Sequence, residues 1–248
     1  MSDPKRLGWL TAQAYAHRGL HSDGVPENSL AAFSAAIAAG LGIECDIHKS
    51  RDGRAIVFHD ADLERLTGQA GLVAESTVGE LTATLLRGSG EHIPTLRDML
   101  TLVAERVPLL LELKSDRKRP VAPLCRAVRR DLEGYGGPVA VMSFDPRISR
   151  WFAQRQPELV RGLVVTEQNA RTLSGAVKRR LSVFHAKPDF LAVDVADFPS
   201  QFAAGQLKSG KPLVSWTVRS AALLEAALAG GATPILEGAG VAAWQARG

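Results

Sequence analysis

Short apolar runs alternate with longer amphipathic stretches along the whole of this 248-residue chain, and no other feature limits its fold as strongly. Read as strands, the runs cover residues 14–17, 43–48, 109–113, 139–143, 162–165, 190–195, 213–218 and 234–237. Helix-period patterns between them cover 28–39, 96–105, 121–132, 146–156, 170–182 and 220–229. The first of these has Asn28 or Ser29 as its N-cap and Gly40 as its stop, and the last ends at Gly230-Gly231. Eight strands in βα alternation within about 250 residues is the dimension of a closed parallel α/β barrel, the TIM (β/α)8 barrel. A doubly wound open sheet shares the alternation, and the apolar run Leu109-Leu110-Leu111 suits a doubly covered sheet in either fold. The charged residues favour the barrel, because they fall at the C-terminal ends of several different strands, where barrels assemble their sites. The expectation is a single domain over residues 1–248.

Two segments break the rhythm. Residues 49–54 carry an Asp52-Gly53 turn between extended stretches, which reads as a hairpin that returns His59 toward Asp46. Residues 61–94 hold no barrel strand and several Gly-rich turns. They read as a small insertion over the barrel mouth, with the next helix starting near Pro94-Thr95.

Four clusters concentrate reactive chemistry at strand ends and turns: Ala16-His17-Arg18-Gly19, Pro26-Glu27-Asn28-Ser29, Glu44-Cys45-Asp46 and Phe58-His59-Asp60. Alternate side chains of a strand share a face, so Glu44 and Asp46 point together and Cys45 points away. Burying two carboxylates on one face costs on the order of several kcal/mol unless a cation compensates them. Glu112, followed at the same spacing by Lys114, repeats the pattern on another strand. Glu44, Asp46 and Glu112 together are a hard oxygen set suited to Mg2+ or Ca2+; separate salt bridges with arginines and Lys114 are the competing reading. His17 and His59 each end an extended segment beside a charged residue, and a pair of imidazoles can take up and deliver protons near neutral pH. Arg18 offers the planar fork that fits phosphate oxygens, and Gly19 lets the chain turn out of its strand. Glu27 and Asn28 open the first helix, whose N-terminus attracts anions, although Asn28 also serves as a simple cap. Trp216 reads either as an apolar wall for an alcohol or as core, and Ser143-Phe144 either borders the pocket or is turn chemistry. His21, His48, His92 and His185 lack a partner pattern and read as surface or structural residues, and Cys125 as core. The set outlines a phosphoester hydrolase.

Composition narrows the partners. The charge is +4 with a pI near 9.3, which suits a small anionic substrate. The basic residues are scattered and aromatics make up only 6%, so the chain lacks both the concentrated basic footprint and the stacking surface of a nucleic-acid binder. Two distant cysteines give no disulfide framework or zinc knuckle, which fits a reduced cytosol. Met1–Arg6 is followed by no apolar core of signal-peptide length, and no run approaches the roughly 18 apolar residues of a span. The expectation is a cytoplasmic protein without stable membrane insertion.

In their order along the chain these residues resemble the glycerophosphodiester phosphodiesterase family. The likeness rests on His17-Arg18-Gly19, Pro26-Glu27-Asn28-Ser29, Glu44-x-Asp46, His59-Asp60-x-x-Leu63-x-Arg65-x-Thr67, Ile93-Pro94-Thr95-Leu96, Glu112-x-Lys114, Ser143-Phe144 and Trp216-Thr217-Val218. It implies a TIM barrel with an insertion after the His59 segment, and a divalent metal on Glu44, Asp46 and Glu112. It further implies His17 and His59 as the acid–base pair, Arg18 on phosphate with Lys114 assisting, and Glu27 and Asn28 on the same rim. The implied reaction is hydrolysis of a glycerophosphodiester to glycerol 3-phosphate and an alcohol. Two departures stand out: Arg97-Asp98 replaces the family's common Glu-Glu, and the last strand reads Ile235-Leu236-Glu237-Gly238 where an aspartate often follows Thr. Neither is expected to touch the catalytic set. Two alternatives remain at this level. One is a lysophospholipase D-like enzyme, whose apolar groove would have to come from Leu72-Val73 and residues 81–86 of the insertion. The other is a non-catalytic barrel that binds phosphodiesters.

Overall fold

The computed structural model describes residues 4–168 and 170–247. In chain order the first half comprises α1 (Pro4–Leu7), β1 (Tyr15–His17), α2 (Leu30–Ala38), β2 (Gly42–Lys49), β3 (Ala55–Val57), α3 (Glu64–Thr67), α4 (Val78–Ala83), α5 (Leu96–Val103), β4 (Leu109–Leu113) and α6 (Ala122–Asp131). The second half comprises β5 (Val139–Ser143), α7 (Pro146–Arg155), β6 (Val160–Val165), α8 (Leu173–Ala186), β7 (Phe190–Asp194), α9 (Gln201–Lys208), β8 (Leu213–Val218), α10 (Ala221–Ala229), β9 (Ala232–Leu236) and α11 (Ala239–Gln245). The strand order is β1-β9-β8-β7-β6-β5-β4-β2-β3 with an additional β1–β2 pairing. This is the closed parallel TIM barrel, with β3 added antiparallel to β2. The backbone clusters into two compact units, residues 18–139 and, in the other, residues up to 17 with those from 140 onward.

In the 18–139 unit, α2 starts where the Ser29 hydroxyl accepts from the Ala32 amide at 3.1 Å, and Gly40 at φ +68° closes the turn after the helix. The Asp52-Gly53 hairpin forms with Gly53 at φ +84°, and pairs Ile47 with Val57. Parallel register sets Asp46 beside Glu112 and Glu44 beside Leu110. Cys45 contacts Met99 of α5, so that face of β2 packs on the helical layer while Glu44 and Asp46 point the opposite way. The 61–94 segment builds its own small core: Leu63, Val73, Leu81, Leu86 and Ile93 close on Ile56 and Phe58. Of the apolar residues that a lipid groove there would need, Val73, Leu81 and Leu86 are therefore packed away, and Leu72 and Leu85 are exposed.

In the other unit, β6 to β9 are parallel and bury Leu163, Val165, Leu191, Val193, Leu213 and Ala232 against Ala186 and Ala203. The helix expected over 170–182 runs instead over Leu173–Ala186: Thr172 caps it, and Lys187 at φ +51° ends it. Helices α9 and α11 were not expected, since their short Ala- and Gly-containing sequences carry little helical periodicity. Strand β9 stops at Leu236, which leaves Glu237 just beyond the strand end. Among the described residues no helix is long and apolar enough to cross a membrane.

Candidate active site

At the C-terminal ends of β2 and β4, Glu44, Asp46 and Glu112 bring carboxylate oxygens within 4.8 Å of one another. Lys114 Nζ lies 2.8 Å from Asp46 Oδ1 and 2.6 Å from Glu112 Oε1. Arg18 Nε is 3.3 Å from Asp46 Oδ2, and the Arg18 amide donates to Glu44 Oε2 at 3.1 Å. Asn28 donates its side-chain amide to Asp46 Oδ2 at 2.9 Å and accepts the Asp46 amide at 3.2 Å. Ser29, not Asn28, caps α2, so Asn28 is released to hold Asp46. Arg18 and Asn28 both sit at φ +56°, and the Asn28 amide donates to the Arg18 carbonyl at 2.9 Å. Backbone strain of this kind, costing on the order of 1–3 kcal/mol per residue, concentrates at binding sites.

The electrostatics of this cluster call for a cation. Burial, then the neighbouring Asp46 and Glu112 charges, push the Glu44 carboxyl well above the usual carboxylate range, more than Lys114 offsets. Burial likewise raises Glu112 against the pull of Lys114. Burial also works to raise Asp46, but Lys114, His59 and Arg18 outweigh it and keep that carboxyl low. Lys114, though buried, is held more firmly charged than usual by Asp46 and Glu112. Salt bridges to Lys114 and Arg18 are thus present, yet burial and the two neighbouring carboxylates still disfavour the charged form of Glu44. An all-oxygen donor set in this state fits a hard divalent ion.

His59 lies in the same unit. Its Nδ1 is 2.7 Å from Asp60 Oδ1, and Arg65 Nε donates to Asp60 Oδ2 at 2.6 Å. Arg65 also reaches both oxygens of Glu27, at 2.8 and 3.2 Å, and Arg18 Nη1 donates to Glu27 Oε1 at 2.7 Å. Glu27 thus ties two arginines together; burial would raise its pKa, but Arg65 and Arg18 bring it below the usual range. His48, expected as a surface or structural residue, places Nε2 2.9 Å from the His59 carbonyl and braces that loop. Beside Lys114 opens a cavity of about 300 Å3 walled partly by Ala61, Leu72, Val121 and Leu124.

In the other unit, His17 Nδ1 lies 2.5 Å from Glu237 Oε2, and Arg219 grips both Glu237 oxygens at 3.0 Å. The His17 hydrogen bond, aided by Arg219 against burial, lowers the Glu237 pKa to about 2. This corrects the expectation that the Glu237 departure lies outside the catalytic set. Each histidine sets its Nδ1 against a carboxylate. Trp216 is half-buried: its indole donates to the Ala192 carbonyl at 3.1 Å, and its ring meets Phe144 edge-on at 5.3 Å. Both rings wall a cavity of about 510 Å3 that also reaches Arg219 and Asp194. Asp194 is buried there and accepts from Gln168 at 2.7 Å; no neighbouring motif in the sequence marked it.

Residues 17–237 match the glycerophosphoryl diester phosphodiesterase family. A glycerophosphodiester phosphodiesterase of Caldanaerobacter subterraneus is 40% identical over 108 residues, a match that takes in 40% of this chain and 44% of that one. A putative glycerophosphodiester phosphodiesterase of Bacillus subtilis is 29% identical over 85% of this chain and 89% of its own length. Among solved structures, a phosphodiesterase of Oleispira antarctica in complex with the product sn-glycerol-3-phosphate superposes with a TM-score of 0.82 at 24% identity, covering 96% of this chain and 97% of that one.

Proposed function

Because the chain belongs to the glycerophosphoryl diester phosphodiesterase family, we propose that it is a divalent-metal-dependent hydrolase that splits glycerophosphodiesters into glycerol 3-phosphate and an alcohol such as choline or ethanolamine. The observation that carries this reading is the buried Glu44–Asp46–Glu112 cluster bordered by Arg18 and Lys114. We take residues 1–248 as one catalytic domain with 61–94 as its insertion. Cys45 and Cys125 are buried and not disulfide-bonded, which supports a reducing, cytoplasmic setting.

Glu44, Asp46 and Glu112 would hold Mg2+ or Ca2+, which when bound supplies Lewis-acid polarisation of a phosphoryl oxygen and acidifies the attacking hydroxyl. Arg18 binds the non-bridging oxygens and Lys114 counters the negative charge that grows on them. One histidine removes the proton of the attacking oxygen at Nε2, and the other delivers a proton from Nε2 to the departing alkoxide. Water and a neighbouring glycerol hydroxyl make the same demand on the base. Asp60 and Glu237 keep the two rings in the tautomer this exchange needs, much as a carboxylate orients the histidine of a hydrolase triad. Glu27 and Asn28 hold Arg18 and Asp46 in register, and Trp216 walls the alcohol side.

The test is a panel of glycerophosphodiesters assayed for glycerol 3-phosphate release after EDTA treatment and again with Mg2+, Ca2+ or Mn2+ restored. EDTA is expected to lower turnover by at least about a hundredfold and one of the ions to restore it. Full turnover in EDTA, or release of a product other than glycerol 3-phosphate, would overturn the reading. For a lysophospholipase D-like preference Val73, Leu81 and Leu86 are packed in the core, which leaves Leu72 and Leu85 exposed; lysophosphatidylcholine in the same panel reports on it directly.

A further inference from the structure

Helix α8 presents its largest apolar side chains to solvent. Leu173, Val177, Leu181 and Phe184 recur at spacings of three and four, so they share one stripe. They are 85%, 47%, 62% and 80% exposed. Half of the exposed large hydrophobic residues among those described lie on this one helix. Scattered apolar residues are ordinary on a protein surface, but a contiguous stripe marks an interaction.

The stripe is not a packing face turned the wrong way, because the opposite side of α8 is the one that packs. Gly175 and Ala186 are buried, and Val183 lies against the core of β6 and β7. A Cβ on Gly175 would stand 2.1 Å from the Ala170 carbonyl oxygen, so the loop leading into α8 passes close over this buried side. Arg179 is spent on this inner side, 3.3 Å from Glu167 and over the Phe202 ring at 5.5 Å.

Charge identifies the occupant. Lys178 and Arg180 are exposed and flank the stripe, Arg171 precedes the helix and Lys187 follows it. Residues 173–186 of the helix hold no aspartate or glutamate, and Asp189 just beyond it is paired with Arg6 and Arg161. In a two-fold pairing of identical helices, these cations would meet their own copies across the interface. A helix with an apolar stripe, a cationic border and no acidic residue of its own has instead the pattern of one that lies in the interface of an anionic membrane. We propose that α8 seats this protein on anionic phospholipid surfaces, with Leu173, Val177, Leu181 and Phe184 at the acyl boundary and Lys178 and Arg180 on lipid phosphates. The proposal stands independently of the hydrolytic reading, since none of these residues is assigned to it.

The experiment is sedimentation of the full chain with vesicles of phosphatidylcholine alone and of phosphatidylcholine containing phosphatidylglycerol. Binding is expected only to the second kind and is expected to weaken as salt is raised. Leu181→Glu with Phe184→Glu should weaken that binding by at least about tenfold, as should Lys178→Glu with Arg180→Glu. All four positions are exposed, so circular dichroism should be unchanged. Independently, Phe184→Trp should give a blue-shifted emission when the anionic vesicles are added. The proposal falls if the protein binds neither vesicle or both alike, if the charge-reversed variants bind as before, or if the native chain is a dimer that Leu181→Glu with Phe184→Glu renders monomeric.

Discussion

The two histidines are held by the same device, built by different means. In His59–Asp60–Arg65 the ring nitrogen, carboxylate and arginine come from one short stretch of chain, and the imidazole is 29% exposed. In His17–Glu237–Arg219 the histidine and its carboxylate are 220 positions apart, the contact is 2.5 Å rather than 2.7 Å, and the imidazole is 11% exposed. Local sequence suffices to build the first. The second exists only once β1, β8 and β9 have paired, so it reports on the completed sheet. The proposed mechanism asks the same of both rings, an Nδ1 fixed by a carboxylate. The difference is how much of the fold must be right before that is delivered.

The largest effects should come from the rings themselves. His17→Ala and His59→Ala are each expected to lower kcat for glycerol 3-phosphate release by about 10²–10⁴-fold while leaving the circular dichroism unchanged. Next come their carboxylates. Asp60→Asn and Glu237→Gln should each cost about 10–100-fold in kcat with little change in KM, and Glu237→Gln should cost more, because its hydrogen bond is the shorter and more buried. Equal, negligible losses would mean that the two rings are oriented by something else. Smaller again are the arginines: Arg65→Lys and Arg219→Lys keep the charge but lose the fork, and a loss of a few fold is expected from each.

A separate effect is on stability. The folded-state pKa of Glu237 is depressed from 4.5 to about 2, so its contribution is present above pH 4.5 and is lost as pH falls toward 2. The difference in unfolding free energy between the native chain and Glu237→Gln should therefore be constant above that range and shrink through it. A difference that grows on acidification would contradict the pairing with His17.

Those same contrasts explain what could be read from the sequence. Glu44 and Asp46 were legible because strand alternation fixes their shared face, and Glu112 because its spacing to Lys114 repeats theirs; the parallel register then sets Asp46 beside Glu112. The return of His59 was legible from Asp52-Gly53, since an Asp-Gly turn specifies its hairpin locally. The part played by Glu237 was not, because it depends on contact with a residue at the far end of the chain, and the sequence pattern presents it only as a substitution in a strand-end motif. His48 read as a surface or structural residue, but its particular contact was not legible, because its partner is the His59 main-chain carbonyl, which leaves no side-chain signature. The apolar residues at Leu72-Val73 and 81–86 looked like a lipid-facing surface because hydrophobicity alone does not say which way a short insertion folds. Most of them close on Ile56 and Phe58. The stripe on α8 follows the opposite logic, since a helical period reads the same whether the apolar face turns inward or outward.

The division of labour between the two histidines is tested most directly by comparing His17→Ala and His59→Ala on two substrates, glycerophosphocholine and a glycerophosphodiester whose alcohol is a nitrophenol. A nitrophenolate leaves without being protonated, so the variant that lacks the general acid should regain most of its rate on the second substrate, while the variant that lacks the base stays slow on both. If the two variants show the same deficit on both substrates, or if neither shows any, the two-histidine account is wrong.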